Sequence, residues 1–251
     1  TIGEEEEKSA WVKSICARPV GDAALLEQAV RRLGCMVLAL GGEVRLFATD
    51  WHFVTGLGRN HPVENGFAWH HTLGVPFLPG SSVKGVTRAW AGQWLGISED
   101  EMDRIFGPEG EDREKQVGSV IFFDALPVNP VKLVPDVMTP HYAPYYQGGF
   151  AVPPGDWFAP RPIPFLTVAA DELFLFALAP RRPDDERSRT DCLLAVRWLE
   201  EALTQVGAGA KTAVGYGRFM RRAAAEYNFL ATIGTMVTTN GSATPGEPAR
   251  P

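Results

Sequence analysis

Apolar residues recur with a helical period in three stretches of this chain and alternate or cluster in the short runs between them. Asp22 can cap a helix running through about Leu40, with Leu25, Leu26, Ala29, Val30 and Leu33 on one side. Gly41 and Gly42 end it. A second helix follows V-P-F-L-P-G-S-S-V-K-G-V-T-R-A-W at 75–90. There Pro76 and Pro79 force extended backbone, and Gly80 permits a sharp turn. Ser81 or Ser82 is placed to accept from the first free N–H groups. Val83, Val86, Trp90 and Trp94 then form its apolar face, and the helix stops near Gly96. A third helix is expected from a Thr190 cap to Val206, with a stripe of Cys192, Val196, Leu199, Leu203 and Val206.

Strand character falls between these helices. Glu43–Thr55 is β-branched and aromatic, with apolar residues on both faces, as suits a central strand covered on two sides. Gly66–His71 and Gly74–Leu78 predict a short hairpin. Ser119–Leu126, Phe165–Val168 and Leu173–Leu178 read as strands, with a turn over Ala169–Glu172, and Val214–Met220 is the last strand. The order strand, helix, strand, strand, helix, strand predicts an α+β, ferredoxin-like (RRM-like) sandwich. It carries an N-terminal helical extension over 1–39, a main domain over 40–222 and a tail over 223–251 expected to be largely disordered.

Residues 127–164 hold ten of the twenty prolines and form an insertion too long for an ordinary connection. His141, Tyr142, Tyr145 and Tyr146 crowd one part of it, and Trp157 follows. Rings at such density in a loop are expected to grip RNA or a partner protein.

The net charge of −6 looks wrong for a nucleic-acid binder. Its distribution changes that picture. Residues 1–8 carry −3 and the segment 98–115 carries −5, so the rest is −6 + 8 = +2. Residues 207–222 hold Lys211, Arg218, Arg221 and Arg222 with no acid. Fields are screened beyond about 8–10 Å, so local charge matters most. Three widely spaced cysteines exclude a disulfide framework or zinc knuckle. His70 and His71 would point to opposite faces of a strand, so no metal site is expected, and no cofactor. With no apolar run near 18 residues and no signal peptide, a cytoplasmic protein is expected.

Two stretches carry candidate chemistry. The helix start at Ser81 and Ser82, with Lys84 and Arg88, combines free N–H groups and cations into an anion site. G-A-G-A-K-T-A-V-G-Y-G-R-F at 207–219 exposes backbone at Gly207 and Gly209, beside Lys211, Thr212 and Arg218. It lacks the P-loop pattern. Arg59, Asn60 and His61 add an exposed polar loop. The usual RNP aromatic motif is missing, so RNA would not be read across an open sheet. For general acid–base chemistry His61, His70, His71 and His141 are candidates, with Tyr142 or Lys84 as partners.

P-F-L-P-G-S-S-V-K-G-V-T-R followed by the glycine-rich loop before the last strand resembles the RAMP superfamily of CRISPR systems. N-H-P-V-E-N-G-F-A-W-H-H-T-L-G-V-P at 60–76, D-V-M-T-P-H-Y-A-P-Y-Y-Q at 136–147 and P-I-P-F-L-T-V at 162–168 are similar to the Cmr branch of type III-B effector complexes. The resemblance spans roughly 40–222. It implies a non-catalytic subunit that holds the 3′ part of a guide RNA (crRNA) and the target RNA paired to it. Its neighbours would be the backbone RAMP subunit, the first Cmr subunit and the small helical subunit. Target cleavage in such complexes is attributed to a loop Asp of the backbone subunit; Asp50 and Asp136 are possible matches here. The alternative is a RAMP-type metal-independent endoribonuclease that processes precursor guide RNA. A third reading is an assembly subunit that touches no RNA.

Overall fold

The structure is a computed structural model describing residues 5–61, 65–109, 116–140 and 162–240, with 145, 153, 155, 157 and 160. It is a mixed α/β fold with antiparallel sheets. Helices α1 (Glu5–Ile15) and α2 (Ala23–Ala39) precede strand β1 (Glu43–Thr49). A hairpin of β2 (Trp69–His70) and β3 (Val75–Pro76) leads into α3 (Gly80–Trp94) and α4 (Glu99–Phe106). Then come β4 (Val120–Phe122), β5 (Leu126–Pro127), β6 (Leu133–Met138), β7 (Ile163–Val168) and β8 (Leu173–Pro180). Helix α5 (Glu186–Gln205), a 3-10 turn at Thr212–Val214, β9 (Phe219–Arg221) and α6 (Ala223–Asn240) close the chain.

The main sheet runs β4-β8-β1-β9, with β5 also on β8, and every pairing is antiparallel. Phe47 lies opposite Phe174 and Arg45 opposite Phe176, so these side chains share one face. Phe219, opposite Thr49, joins them. Edge-on rings fill that face, with Phe47–Phe176 at 5.5 Å and Phe176–Phe219 at 5.4 Å. Such pairs each contribute about 0.5–1.5 kcal/mol beyond area burial. Helix α5 covers them, and Glu200 reaches the Arg45 Nε at 2.6 Å. Leu46 and Leu175 point the other way and are equally buried. Helices α2 and α6 lie against the sheet there. Seven of the eight β8 residues are therefore buried, as expected for a strand covered on both sides.

Several boundaries differ from the expectation. The first strand ends at Thr49, because beyond it Phe53 bridges to Val168 and no longer follows β8. The proline-rich insertion contains β6, which pairs with β7 from Leu133↔Val168 to Met138↔Ile163. Pro135 is tolerated because it lies on an outer strand of a two-stranded ribbon. Helix α3 starts at Gly80, ahead of both serines, and neither caps it. The Asp124 carboxylate accepts from the Gly80 N–H at 2.6 Å instead. The α3 helix buries Gly80, Val83, Thr87 and Ala91; small side chains let it lie close to α5. Trp94 is left 65% exposed and stacks on Trp90 at 5.5 Å. Helix α5 is capped by Asp185, not Thr190, whose hydroxyl bonds back to the Glu186 carbonyl within the helix. Its stripe of Cys192, Val196, Leu199 and Leu203 is buried as the pattern predicts. Residues 223–240, assigned to a tail by composition, form α6 and bury Glu226 and Ile233.

Asp191 ties three elements together. Its side chain is 2% exposed, and it accepts from Arg104 of α4 at 2.9 Å and from the Ser119 hydroxyl at 2.7 Å.

Candidate nucleic-acid interface

The chain leaves α5 through a loop bolted to the segment that follows β1. The Ala210 N–H donates to the Val54 carbonyl and the Gly217 N–H to the His52 carbonyl, both at 2.8 Å. The loop also closes on itself, Ala208 N–H to the Gly217 carbonyl at 2.8 Å. Two positions require glycine. A Cβ on Gly209 would run into the Val54 carbonyl oxygen, and one on Gly217 into that of Ala208. Both also adopt φ near +93° and +72°, where side chains are strained. Lys211 is left-handed as well, at φ 61°. Among the described residues, the N–H groups of Gly209, Lys211 and Thr212 carry no hydrogen bond. Free N–H groups in such alternating backbone make an anion-binding concavity.

Gly209 and Thr212 line a groove of about 430 Å³. Thr55 and Gly56 form one wall, Ser82, Gly85 and Val86 of α3 another, and Gly207–Ala210 with Thr212 the third. The structure thus brings Ser82, Gly207, Gly209 and Thr212 together. It separates Lys84 and Arg88 from them. At 100° per residue, Lys84 lies about 200° around the helix from Ser82. Arg88 donates to the Gly107 carbonyl at 2.8 Å, pairs with Glu109 at 3.0 Å and lies over the Phe106 ring. Lys84 is held below the ordinary lysine range by burial, then by the charges of Arg88 and Arg181. The first N–H of α3 is occupied by the Asp124 carboxylate.

Lys211 is half-buried. Its Nζ lies 5.5 Å from the Phe165 ring centroid and 5.8 Å from that of Tyr216. The two rings aim the ammonium without neutralising it. Beside it the Tyr216 hydroxyl donates to Asp136 Oδ2 at 2.6 Å, and His52 Nδ1 lies 3.3 Å from the same oxygen. Burial opposes the charge of Asp136. Hydrogen bonds from Tyr216, the Val137 N–H and His52 outweigh it and hold the carboxyl below its usual range. Burial, then the bond to Asp136, pushes Tyr216 up to about 12.

Sequence reasoning missed His52, Tyr216, Phe165 and Trp51. His52 falls within the over-long first strand, and Tyr216 is masked by flanking glycines. The one available signal was that Tyr216 is the sole aromatic ring among the small residues at 207–217.

The remaining candidates are scattered. Arg59 and Asn60 are exposed on the turn that begins at Gly56, and His61 packs 5.2 Å from Trp11. His70 lies against Phe77 at 5.5 Å, while His71 is exposed. Arg218 and Asp50 are exposed neighbours, joined by the Asp50 N–H to the Arg218 carbonyl at 2.9 Å. Among the described residues, no three His, Cys, Asp or Glu side chains group to hold a metal ion. Trp157 is 77% exposed and Tyr145 half-buried; His141, Tyr142 and Tyr146 lie outside the described residues.

Residues 46–220 match the RAMP superfamily, and the chain belongs to that family. Within it, the chain is 31% identical over 277 aligned residues to the CRISPR system Cmr subunit Cmr6 of Pyrococcus furiosus, covering 87% of this chain and 79% of that protein. It is 31% identical over 158 residues to the Cmr6 subunit of Saccharolobus solfataricus, covering 62% of this chain and 48% of that one. A chain in the cryo-EM structure of the Type III-B Cmr-beta bound to cognate target RNA shares the fold, with a TM-score of 0.66 and 24% identity. The match covers 88% of this chain and 75% of that chain.

Proposed function

We propose that this chain is the Cmr6-type subunit of a type III-B CRISPR effector and a non-catalytic RNA-binding component of it. It holds the 3′ part of the guide RNA and the paired target RNA along the glycine-rich loop, in the cytoplasm. The backbone RAMP subunit, the first Cmr subunit and the small helical subunit are its neighbours. The observation that carries this reading is the groove. One wall is the glycine-rich loop with its free N–H groups, another is α3, and Lys211 lies within that loop. N–H groups grip phosphate without reading bases, as suits a protein whose target is chosen by base pairing.

The sheet order supports the ferredoxin-like reading: two central strands, β8 and β1, flanked by β4 and β9, with α3 and α5 as crossovers. With both sheet faces covered, RNA is left to the loops at the strand ends. Trp157 and Tyr145, with His141, Tyr142 and Tyr146, serve a partner or RNA interface. Among the described residues, no helix is long and apolar enough to cross a membrane. The non-catalytic reading is supported by the dispersal of His61 and His70, each packed on a different ring.

The test is RNA binding as a function of salt in the assembled effector. Lys211→Ala should lower the slope of log affinity against log salt by roughly 0.7, one phosphate contact to a single strand. Lys211→Glu should weaken unrelated guides about equally. Unchanged affinity and slope would make the loop a structural turn only. Purified protein should leave labelled repeat RNA intact; cleavage would favour the endoribonuclease.

A further inference from the structure

Trp51 is 56% exposed at the end of β1, yet it is not loose. Its indole stacks on the His52 imidazole with centroids 4.5 Å apart and planes within 8°. The imidazole is fixed in turn by Asp136 at 3.3 Å, and the His52 carbonyl accepts from Gly217. One residue back, the Asp50 N–H bonds to the Arg218 carbonyl. The ring pair is thus attached on both sides to the glycine-rich loop. A tryptophan contributes most when its large surface is buried. Here more than half of that surface is left in water on a rigid support, one residue beyond the backbone bond from Asp50 to Arg218.

We propose that the Trp51–His52 ring pair is a stacking platform for one unpaired nucleobase of an RNA strand that runs along the glycine-rich loop. This rests on the RNA-binding reading above and adds a base contact to it. A flat ring held parallel to a second ring offers a π-face, which any base can cover. Because His52 already fixes the indole, little side-chain freedom is lost when the base docks. The free N–H groups of the loop hold the strand by its phosphates. The platform selects for a base that is splayed out of pairing and not for its identity.

The experiment uses the full chain and a labelled single-stranded RNA, intact or with one abasic ribose walked along it. Trp51→Ala should weaken the intact RNA by roughly 5- to 150-fold, the effect of removing one base–aromatic stack. Trp51→Phe should keep most of the affinity. One abasic position should weaken wild-type binding by a similar factor and leave Trp51→Ala unaffected. Equal affinity of wild type and Trp51→Ala would overturn the platform while sparing the groove, provided Lys211→Glu still weakens binding. The same holds if every abasic position costs both proteins alike. If the wild-type chain binds none of these RNAs, the groove reading fails and the platform with it.

Discussion

The Tyr216 hydroxyl and the Asp136 carboxylate, 2.6 Å apart, join the glycine-rich loop to the β6–β7 ribbon. Tyr216→Phe cuts that latch and leaves Asp136 with the Val137 N–H and His52. Hydrogen bonds to charged groups contribute about 1.5–3 kcal/mol, and partial exposure places this one at the lower end. A fall in chemical-denaturation stability of about 1–2 kcal/mol is the expected outcome.

The same bond predicts a pH signature. The folded tyrosine titrates near 12, against an ordinary value of 10.0. Its contribution to stability is complete below pH 10.0 and is lost as pH rises through about 12. Asp136 behaves oppositely. Its contribution is present above the ordinary value of 3.8 and is lost as pH falls through its depressed folded value. Titration of tyrosinate absorbance in the native protein should show one late ionisation, absent from Tyr216→Phe. Its persistence in that variant would assign it to another tyrosine.

Gly217→Ala should damage both fold and binding. The new Cβ meets the Ala208 carbonyl while the residue is held at φ +72°. Strain of about 1–3 kcal/mol is expected. In a chain of this size that lowers the melting temperature by roughly 2–12 °C. A variant with unchanged melting temperature and RNA affinity would show that the loop relaxes freely.

Helix α3 offers a contrast between near and distant caps. Asp124→Ala removes the acceptor for the Gly80 N–H and should cost about 0.5–2 kcal/mol. Ser81→Ala and Ser82→Ala should stay within about 0.5 kcal/mol. Thermal melts of the three variants decide it; a larger loss in either serine variant would restore the serine cap.

The Asp191 junction should be the costliest single site. Asp191→Ala leaves Arg104 with Glu101 at 3.2 Å and takes the acceptor from the Ser119 hydroxyl. Breaking a fully buried pair from one side costs about 3–5 kcal/mol, and the partial exposure of Arg104 lowers the expectation here to about 2–3 kcal/mol. Denaturant unfolding would check it, and a loss below about 1 kcal/mol would mean that water replaces the carboxylate.

Local signals were legible in the sequence. The Asp22 cap and the α5 stripe follow from spacing alone, and they reappear in the structure. What failed was long-range. The α3 cap comes from Asp124, 44 residues downstream, so no local pattern contains it. Strand β6 hides among prolines, because a ribbon edge tolerates them. The site was half legible. The glycine spacing exposed the loop, and the pairing of the last strand with the first set its neighbourhood. Lys84 and Arg88 are legible as cations of the helix start, but helical rotation separates them from Ser82. His52 and Asp136 are 84 residues apart, and only folding joins them.

The loop is fastened at Gly217 and Ala210 to residues that continue directly from β1. That strand is held between β8 and β9, not at a margin. A pull on the loop therefore loads the middle of the sheet along its strands, where ladder bonds on both sides resist together in shear. Peeling an outer strand would break them one by one. The attachment is a tensile anchor, able to stay seated while a long polymer fixed elsewhere tugs on it.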